Sequence, residues 1–553
     1  MGDDGRSGWN RRQFLGTAAG LAAGAALGPA PAAGGERAPA PGVAAAASQE
    51  FELAGLGVAE LAAGMAEGRW TAERLVELYS GRIEALDRAP GGTNAVAELN
   101  PDAAAIAAEL DRERREGRVR GPLHGIPVLL KDNLDTGDRM LTAAGSLALA
   151  DAPAPADAFT AARLREAGAV ILGKTNLSEW ANFRSTRSTS GWSGRGGQVH
   201  NPYALDRNPC GSSSGSGVAP SADLCAAAVG TETDGSVTCP ASMNGIVGLK
   251  PTVGLVSRSG IVPISHTQDT AGPMGRTVED VAILLGGMVG VDARDSASVE
   301  SAGRGSADYR SALSPDALRG ARLGVARNFF GWHPEIDARM EEILVALRGL
   351  GAELVDPAEI PHAKDYDDAE YEVLLYEFKH DLNAYLATRP DGDRPRTLAA
   401  LIEFNRKHAE REMPWFGQEI FELAEAKGPL TEPAYLDALE KCRRLSRAEG
   451  IDQVLAEHRL DALVCPSMGP AYLTDWINGD HYGGSATSPP AVSGYPHLTV
   501  PAGFVHGLPW GLSWIGPAWS EAKLLAYGHA FERATRARRA PRFLPSVDFG
   551  VPA

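Results

Sequence analysis

Between Gly57 and Leu86 the apolar residues recur at helical spacing. Leu61 and Met65 come first, then Leu75, Leu78, Tyr79 and Ile83, and the pattern predicts helix over this stretch. A second helix is expected from Ala103 to Arg115, ending in solvated charges. The period then changes. Gly125-Ile-Pro-Val-Leu-Leu-Lys131 is a short apolar run with a proline near its start, where a strand tolerates one, and it reads as a strand. Phe159 to Ala167 returns to helix, and Ala169-Val-Ile-Leu172 is a second buried strand. This alternation persists to about residue 300 and predicts an α/β fold built on a sheet. Residues 301–430 depart from it, being charged, helical and aromatic. Within them Tyr371, Leu374, Leu375, Phe378, Leu382 and Tyr385 form a stripe at helical spacing, expected to be the core side of a helix rather than a substrate-binding face. Asp461-Ala-Leu-Val-Cys465 opens a strand-rich return that runs to the C-terminus, and no internal repeat is present.

The first residues read as an address. Asn10-Arg11-Arg12-Gln13-Phe14-Leu15 leads into an apolar run from Phe14 to Leu27, short of the ~20 residues a spanning helix needs. Ala30-Pro31-Ala32 then offers small residues for cleavage. The expectation is a twin-arginine signal peptide over 1–32, cleaved after Ala32 or Ala47, and an Ala/Gly/Pro-rich linker over 33–50. The protein would then be secreted or periplasmic, with no stable membrane anchor. The 553 residues include 53 Lys+Arg and 70 Asp+Glu, a formal charge of −17 that becomes −18 without residues 1–32. This acidity argues against nucleic acid as a partner, because phosphate contacts need basic patches, and it selects no substrate. With 44% hydrophobic and 22% charged residues, a disordered chain, a collagen-like fibre and a disulfide miniprotein are all excluded. The five cysteines fit no metal site or disulfide framework, and small buried residues are the expectation. A single bridge between Cys210 and Cys239, which flank two serine-rich motifs, is left open. No HExxH, paired CxxC or EF-hand loop occurs, so neither a metal nor another cofactor is expected.

Three motif matches fail on local grounds. Gly168-Ala-Val-Ile-Leu-Gly173-Lys174-Thr175 fits the phosphate-loop pattern, yet Ala-Val-Ile-Leu prefers strand where that loop needs an open turn. Gly211-Ser-Ser213-Ser-Gly215 fits the nucleophile elbow of α/β-hydrolases, with His497, His506 and His529 late enough to complete a triad. It follows the turn-rich Asn201–Cys210 segment instead of a buried strand. Ser520-Glu-Ala-Lys523 fits the S-x-x-K of penicillin-binding enzymes, but it lacks partner motifs and sits where a helix begins, so Ser520 is expected as an N-cap.

Three other segments carry coherent chemistry. Val128-Leu-Leu-Lys131-Asp-Asn133 puts a lysine at the end of an apolar strand. Cys210-Gly-Ser212-Ser213-Ser-Gly-Ser-Gly217 is a Gly/Ser loop, and Gly230-Thr-Glu-Thr-Asp234-Gly235-Ser236 is a second such turn after the apolar Leu224–Val229. A surface lysine would not need four apolar residues before it, and a flexible linker would not run at once into apolar sequence.

With these segments the chain resembles the amidase signature family, the Ser–cis-Ser–Lys amide hydrolases. The resemblance spans residues 56 to 535 and includes Gly125-Ile-Pro-Val, Gly173-Lys-Thr-Asn176, the Gly-Ser-Ser-Ser loop, Gly248-Leu-Lys-Pro-Thr252, Asp269-Thr-Ala-Gly-Pro273 and Gly494-Tyr-Pro…Val500-Pro501, in the family's order. It implies one large α/β catalytic domain over 51–553, with a mixed central sheet flanked by helices, and it makes 301–430 a variable helical specificity region. By the same resemblance Ser236 is the nucleophile, Ser212 the bridging serine after a cis bond from Gly211, and Lys131 the base. The backbone of Thr233, Asp234, Gly235 and Ser236 forms the oxyanion hole. Ser178-Glu-Trp-Ala-Asn-Phe183, Gly194-Arg-Gly-Gly197 and Thr231-Glu-Thr-Asp-Gly-Ser236 look most like the peptide-amidase-like branch, although many relatives carry Gly-Gly-Ser where this chain has Asp234-Gly235-Ser236.

The chemistry agrees. A serine needs a neighbouring base, and His266, in a Ser-His-Thr turn, reads as structural. A lysine is a base only when neutral; its usual pKa of ~10.4 falls by ~3–5 on burial, and the apolar strand before Lys131 is a setting for that. The function expected is amide hydrolysis with release of ammonia, on the C-terminal amide of peptides. The alternatives are an amidase of other small or aryl amides, a glutaminase subunit of a tRNA-dependent amidotransferase, and an inactive binding protein that keeps the fold. The export signal argues against the glutaminase, and three filled catalytic positions argue against the binding protein.

Overall fold

A computed structural model of the chain describes residues 50–547, apart from 391 and 393. The expected signal peptide, and the linker up to residue 49, lie outside the described residues.

The apolar runs become strands. In chain order they are β1 (Val96–Leu99), β2 (Pro127–Lys131), β3 (Val170–Thr175), β4 (Trp192–Ser193), β5 (Gly197–Gln198), β6 (Ala227–Glu232), β7 (Val247–Lys250), β8 (Thr270–Gly275), β9 (Arg322–Val325), β10 (Glu353–Val355), β11 (Ala462–Pro466), β12 (His497–Val505) and β13 (Leu508–Ile515). β4 and β5 pair as a separate ribbon, and the other eleven form one mixed sheet. Across that sheet the order is β1-β3-β2-β6-β8-β7-β12-β13-β11-β9-β10. β2 lies parallel to both β3 and β6, and every residue of these three strands is buried. Parallel strands covered on both faces read as unbroken apolar runs, which is why these segments stood out in the sequence.

The helical pattern over 57–86 resolves into Val58–Ala66 and Ala72–Arg82, with a π turn at Ile83–Asp87. Thr71 restarts the helix by accepting the Arg74 N–H at 3.1 Å. The Ala103–Arg115 helix forms as expected, and the next runs Phe159–Glu166. Ser520 stands at the N-cap position of the Glu521–Thr535 helix, but its hydroxyl bonds back to the Pro517 carbonyl. No helix among the described residues is long and apolar enough to cross a membrane.

Region 301–430 is not wholly helical. β9 and β10, four and three residues long, extend the main sheet beyond β11 from within this charged sequence, where so short an apolar run leaves little pattern. The aromatic stripe lies on the long Asp367–Thr388 helix. Leu375, Phe378 and Leu382 pack with Trp180, Phe183, Val262 and Ile264 in one apolar cluster, and the Phe183 and Phe378 rings meet at 5.1 Å. The stripe is therefore a packing face, and what it supports is the loop system around the candidate site.

Candidate active site

β2 and β6 run parallel as neighbours, so their carboxyl ends open at the same edge, the usual place for a site in an α/β sheet. Lys131 is the last residue of β2 and is fully buried. Its amine lies 2.8 Å from Ser212 Oγ, 2.8 Å from Thr231 Oγ1 and 3.3 Å from the Thr231 carbonyl. These neighbours suit a neutral amine, whose two N–H groups serve the Thr231 oxygens while its lone pair accepts the Ser212 O–H. Burial pushes the Lys131 pKa down to about 7, against the opposing pull of the Asp269 and Glu232 carboxylates. Asn133 completes the group by donating from Nδ2 to Thr231 Oγ1 at 2.9 Å.

Ser212 is buried behind a cis peptide bond from Gly211. The Ser214–Ser221 helix follows at once, and its Gly215 must be glycine. A Cβ there would stand 2.2 Å from the Ala95 carbonyl oxygen and 2.6 Å from that of Asn176. Ser213 locks this loop to β6, donating its hydroxyl to the Thr231 carbonyl at 3.0 Å and accepting the Thr231 N–H at 3.1 Å. Its own N–H donates to the Ser236 carbonyl at 3.1 Å, which holds the two serine segments side by side.

Ser236 differs from Ser212 and Ser213. It keeps 9% exposure, and its hydroxyl meets no hydrogen-bond partner among the described residues. The N–H groups of Asp234, Gly235 and Ser236 likewise meet no acceptor there. Gly235 sits at φ +79°, and a Cβ on it would press to 3.1 Å from Thr487 Oγ1. Buried Glu232 pins the far side of the turn by accepting the N–H groups of Val237 at 2.8 Å and Thr238 at 3.0 Å. Asp269 pins the near side through Thr233 Oγ1 at 2.5 Å and also accepts the N–H groups of Ile264 and Ser265. Burial pushes the Asp269 carboxyl up to about 6.

Beside Asn133 lies a narrow recess, walled by Ala144, Trp180, Ala181, Val262, Pro263 and Ile264. Trp180, Ala181 and Asn182 all hold left-handed backbone, at φ 49°, 53° and 69°. Such strain costs about 1–3 kcal/mol per residue and persists only where the surroundings enforce it. The enforcement is visible here. Buried Arg184 pairs with Glu179 at 3.0 Å, and Phe421 and Phe378 back the Trp180 and Phe183 rings.

The amidase family model matches residues 74–525. The chain belongs to the amidase family. Its solved relatives include the peptide amidase of Stenotrophomonas maltophilia, 51% identical over 89% of this chain and all of that one, with a TM-score of 0.85. A "probable amidase" of Arabidopsis thaliana is 41% identical over 90% of this chain and 93% of its own length. A glutamyl-tRNA(Gln) amidotransferase component of Halorhodospira halophila is 37% identical over 86% and 97%. The chain is accordingly an amide hydrolase acting on C–N bonds.

In this amidase the three rejected motifs do other work. Gly173-Lys174-Thr175 continues β3, and the buried Lys174 amine donates to the Leu134 carbonyl at 2.7 Å and to Thr142 Oγ1. Ser213, the elbow candidate, is occupied by Thr231, while His497 bonds Ser513 Oγ at 2.6 Å and His506 meets Glu335. Lys523 pairs with Asp461. His266 is held by Asp381 at 2.9 Å, as a structural residue would be. The bridge left open by sequence is present: Cys210 and Cys239 form a disulfide. Sequence reasoning gave no role to Thr231, Asn133, Glu232 or Asp269. All four lie inside the quoted motifs, so their positions were visible even though their contacts were not. Of the region's aromatics, Tyr366 and Phe416 are core, Tyr376 bonds Glu432, and Trp415 stacks on Trp476 at 4.9 Å.

Proposed function

We propose that this amidase works through a seryl acyl-enzyme and that its substrate is the C-terminal carboxamide of a peptide. The observation that carries the reading is the buried Lys131 amine, near neutrality at physiological pH and hydrogen-bonded to Ser212. Ser236 attacks the carbonyl carbon while its proton passes to Ser212 and the Ser212 proton passes to Lys131. The oxyanion forms against the free N–H groups of the Thr233–Ser236 turn, where each such donor contributes ~3–4 kcal/mol. The protons return along the same path to the leaving nitrogen, ammonia departs, and water attacks the acyl ester to release the acid and restore Ser236.

The deciding experiment is ammonia release from amidated peptides beside short aliphatic and aryl amides, with Ser236→Ala as the control. The variant is expected to fold and to show no turnover; hydrolysis at the wild-type rate would sink the seryl mechanism. Preference for short aliphatic amides would refute the peptide substrate. Support for that substrate comes from the 51% identity to a peptide amidase. The Asn10–Leu15 segment supports export, which also disfavours the glutaminase reading because charged tRNA stays in the cytoplasm. Fractionation of the expressed protein tests this, and recovery of uncleaved protein in the cytoplasm alone would overturn it.

A further inference from the structure

We propose that the Cys210–Cys239 disulfide is a positioning element of the active site, cross-linking the two serine segments so that the oxidised enzyme turns over far faster than the reduced one. The inference rests on the assignment of Ser212 and Ser236 as the proton-relaying serine and the nucleophile.

The placement carries it. Cys210 stands two residues before Ser212 and Cys239 three residues after Ser236, with their Cα atoms 6.2 Å apart and both side chains buried. Beside this bond, Ser213 ties the loop to the second segment, through its N–H on the Ser236 carbonyl and its hydroxyl on Thr231. Only the first of those ties reaches the nucleophile itself. Both cysteines are also wired into the parts that matter. Cys210 is held at φ +62°, left-handed for a residue with a side chain, by its N–H on Asn208 Oδ1 at 2.8 Å and by Ser214 Oγ on its carbonyl at 2.6 Å. Cys239 donates its N–H to the Gly235 carbonyl at 2.8 Å, within the turn whose N–H groups face the oxyanion position. A shift at either sulfur is therefore transmitted to Gly211-Ser212 on one side and to Gly235-Ser236 on the other.

The competing role is a stability staple alone. A disulfide joining residues 29 apart in sequence restricts the unfolded chain wherever it sits, and that effect moves the melting temperature without touching the rate of the folded enzyme. Positioning makes a different claim, since a misplacement of about 1 Å between reacting groups costs ~10²-fold in rate. Bond formation removes two protons and two electrons from the two thiols, which a disulfide-bearing oxidant accepts as it becomes a dithiol. A thiol reductant reverses the exchange, giving back two cysteine thiols and one molecule of reductant disulfide. The other three cysteines, Cys225, Cys442 and Cys465, are buried and free, so the oxidised chain should show three thiols when denatured and the reduced chain five.

The test compares wild type with Cys210→Ser/Cys239→Ser well below either melting temperature, reading kcat and KM for a peptide amide and the rate of Ser236 labelling by a fluorophosphonate. The expected result is a kcat at least about tenfold lower, a parallel fall in labelling rate, and a KM within about threefold. An unchanged kcat with only a lower melting temperature overturns the proposal. Should the double variant fail to fold, titrating wild type with a thiol reductant and counting thiols on the same samples decides instead. Loss of kcat tracking the two new thiols supports positioning, and full kcat at five thiols overturns it. Ser236→Ala separates the layers: if that variant hydrolyses amides the mechanism itself fails, whereas an inactive Ser236→Ala beside a fully active cysteine variant defeats this inference alone.

Discussion

Titration of the Lys131 amine should set the acid limb of the amidase's pH profile. An ordinary lysine, with a pKa of ~10.4, is neutral in fewer than ~10⁻³ of molecules at pH 7. Burial brings this amine to about 7, so that half of the enzyme carries the neutral base at that pH. The gain is ~10³-fold in competent molecules, equivalent to about 4 kcal/mol at ~1.36 kcal/mol per tenfold step in acidity. With Lys131 as the proposed base the sign follows: the active form is the deprotonated one, so activity is full above the midpoint and lost below it. The assay is kcat/KM for ammonia release from a peptide amide over about pH 5 to 9, because that ratio reports groups of the free enzyme. A plateau above pH 7 and a tenfold fall per pH unit below it are expected. Asp269, a second buried group that titrates at about 6, is the main rival owner of the limb. Lys131→Arg separates the two, since a guanidinium stays charged and should leave only residual activity with no limb. A limb that survives unchanged in Lys131→Arg, or a wild-type profile flat through pH 7, would refute the assignment of Lys131 as the base.

Three further perturbations probe the supports of the site. Asp269→Asn removes a carboxylate that favours the lysine ammonium, so the midpoint of the kcat/KM profile should move to lower pH. Its kcat should also fall, because the amide offers one acceptor oxygen where Thr233, Ile264 and Ser265 now find two; a midpoint that stays or rises contradicts this. Gly235→Ala forces a Cβ into left-handed backbone against Thr487 and should cost ~10²–10³-fold in kcat, the loss typical of one oxyanion donor, with a melting temperature shifted only slightly. Wild-type kcat in that variant would count against the turn as the oxyanion site. Phe378→Ala empties a fully buried ring position behind the recess and should destabilise the fold by about 3–5 kcal/mol in denaturant unfolding while raising KM; a raised KM without destabilisation would mean that the ring does not hold the wall.

The sequence carried the fold wherever burial left a continuous signal. β2, β3 and β6 are covered on both faces, so each opens with an unbroken run of apolar or small residues before its polar end, and those runs were readable. β9 and β10 were not, because four- and three-residue strands inside a charged region give no period to detect. Lys131, Ser212 and Ser236 could be singled out because each sits in a run whose composition fits no simpler purpose. What holds them depends on contacts that spacing does not encode. Thr231 meets the Lys131 amine from the neighbouring strand, one hundred residues on, and Asp269 reaches back thirty-six residues to Thr233 while fixing the recess wall at Ile264. The strained Trp180-Ala181-Asn182 turn was equally hidden, since nothing in those side chains announces left-handed backbone; it is imposed by the Arg184–Glu179 pair and by rings from region 301–430. The division has a physical cause. Residues that do chemistry are constrained by what they are, and a short motif records that, whereas residues that position them are constrained by where they meet, which only the folded chain supplies. The stripe on the Asp367–Thr388 helix joins the two kinds: its periodicity announced a packing face, and the fold shows that this face is packed against the wall of the recess beside Asn133, two residues beyond Lys131.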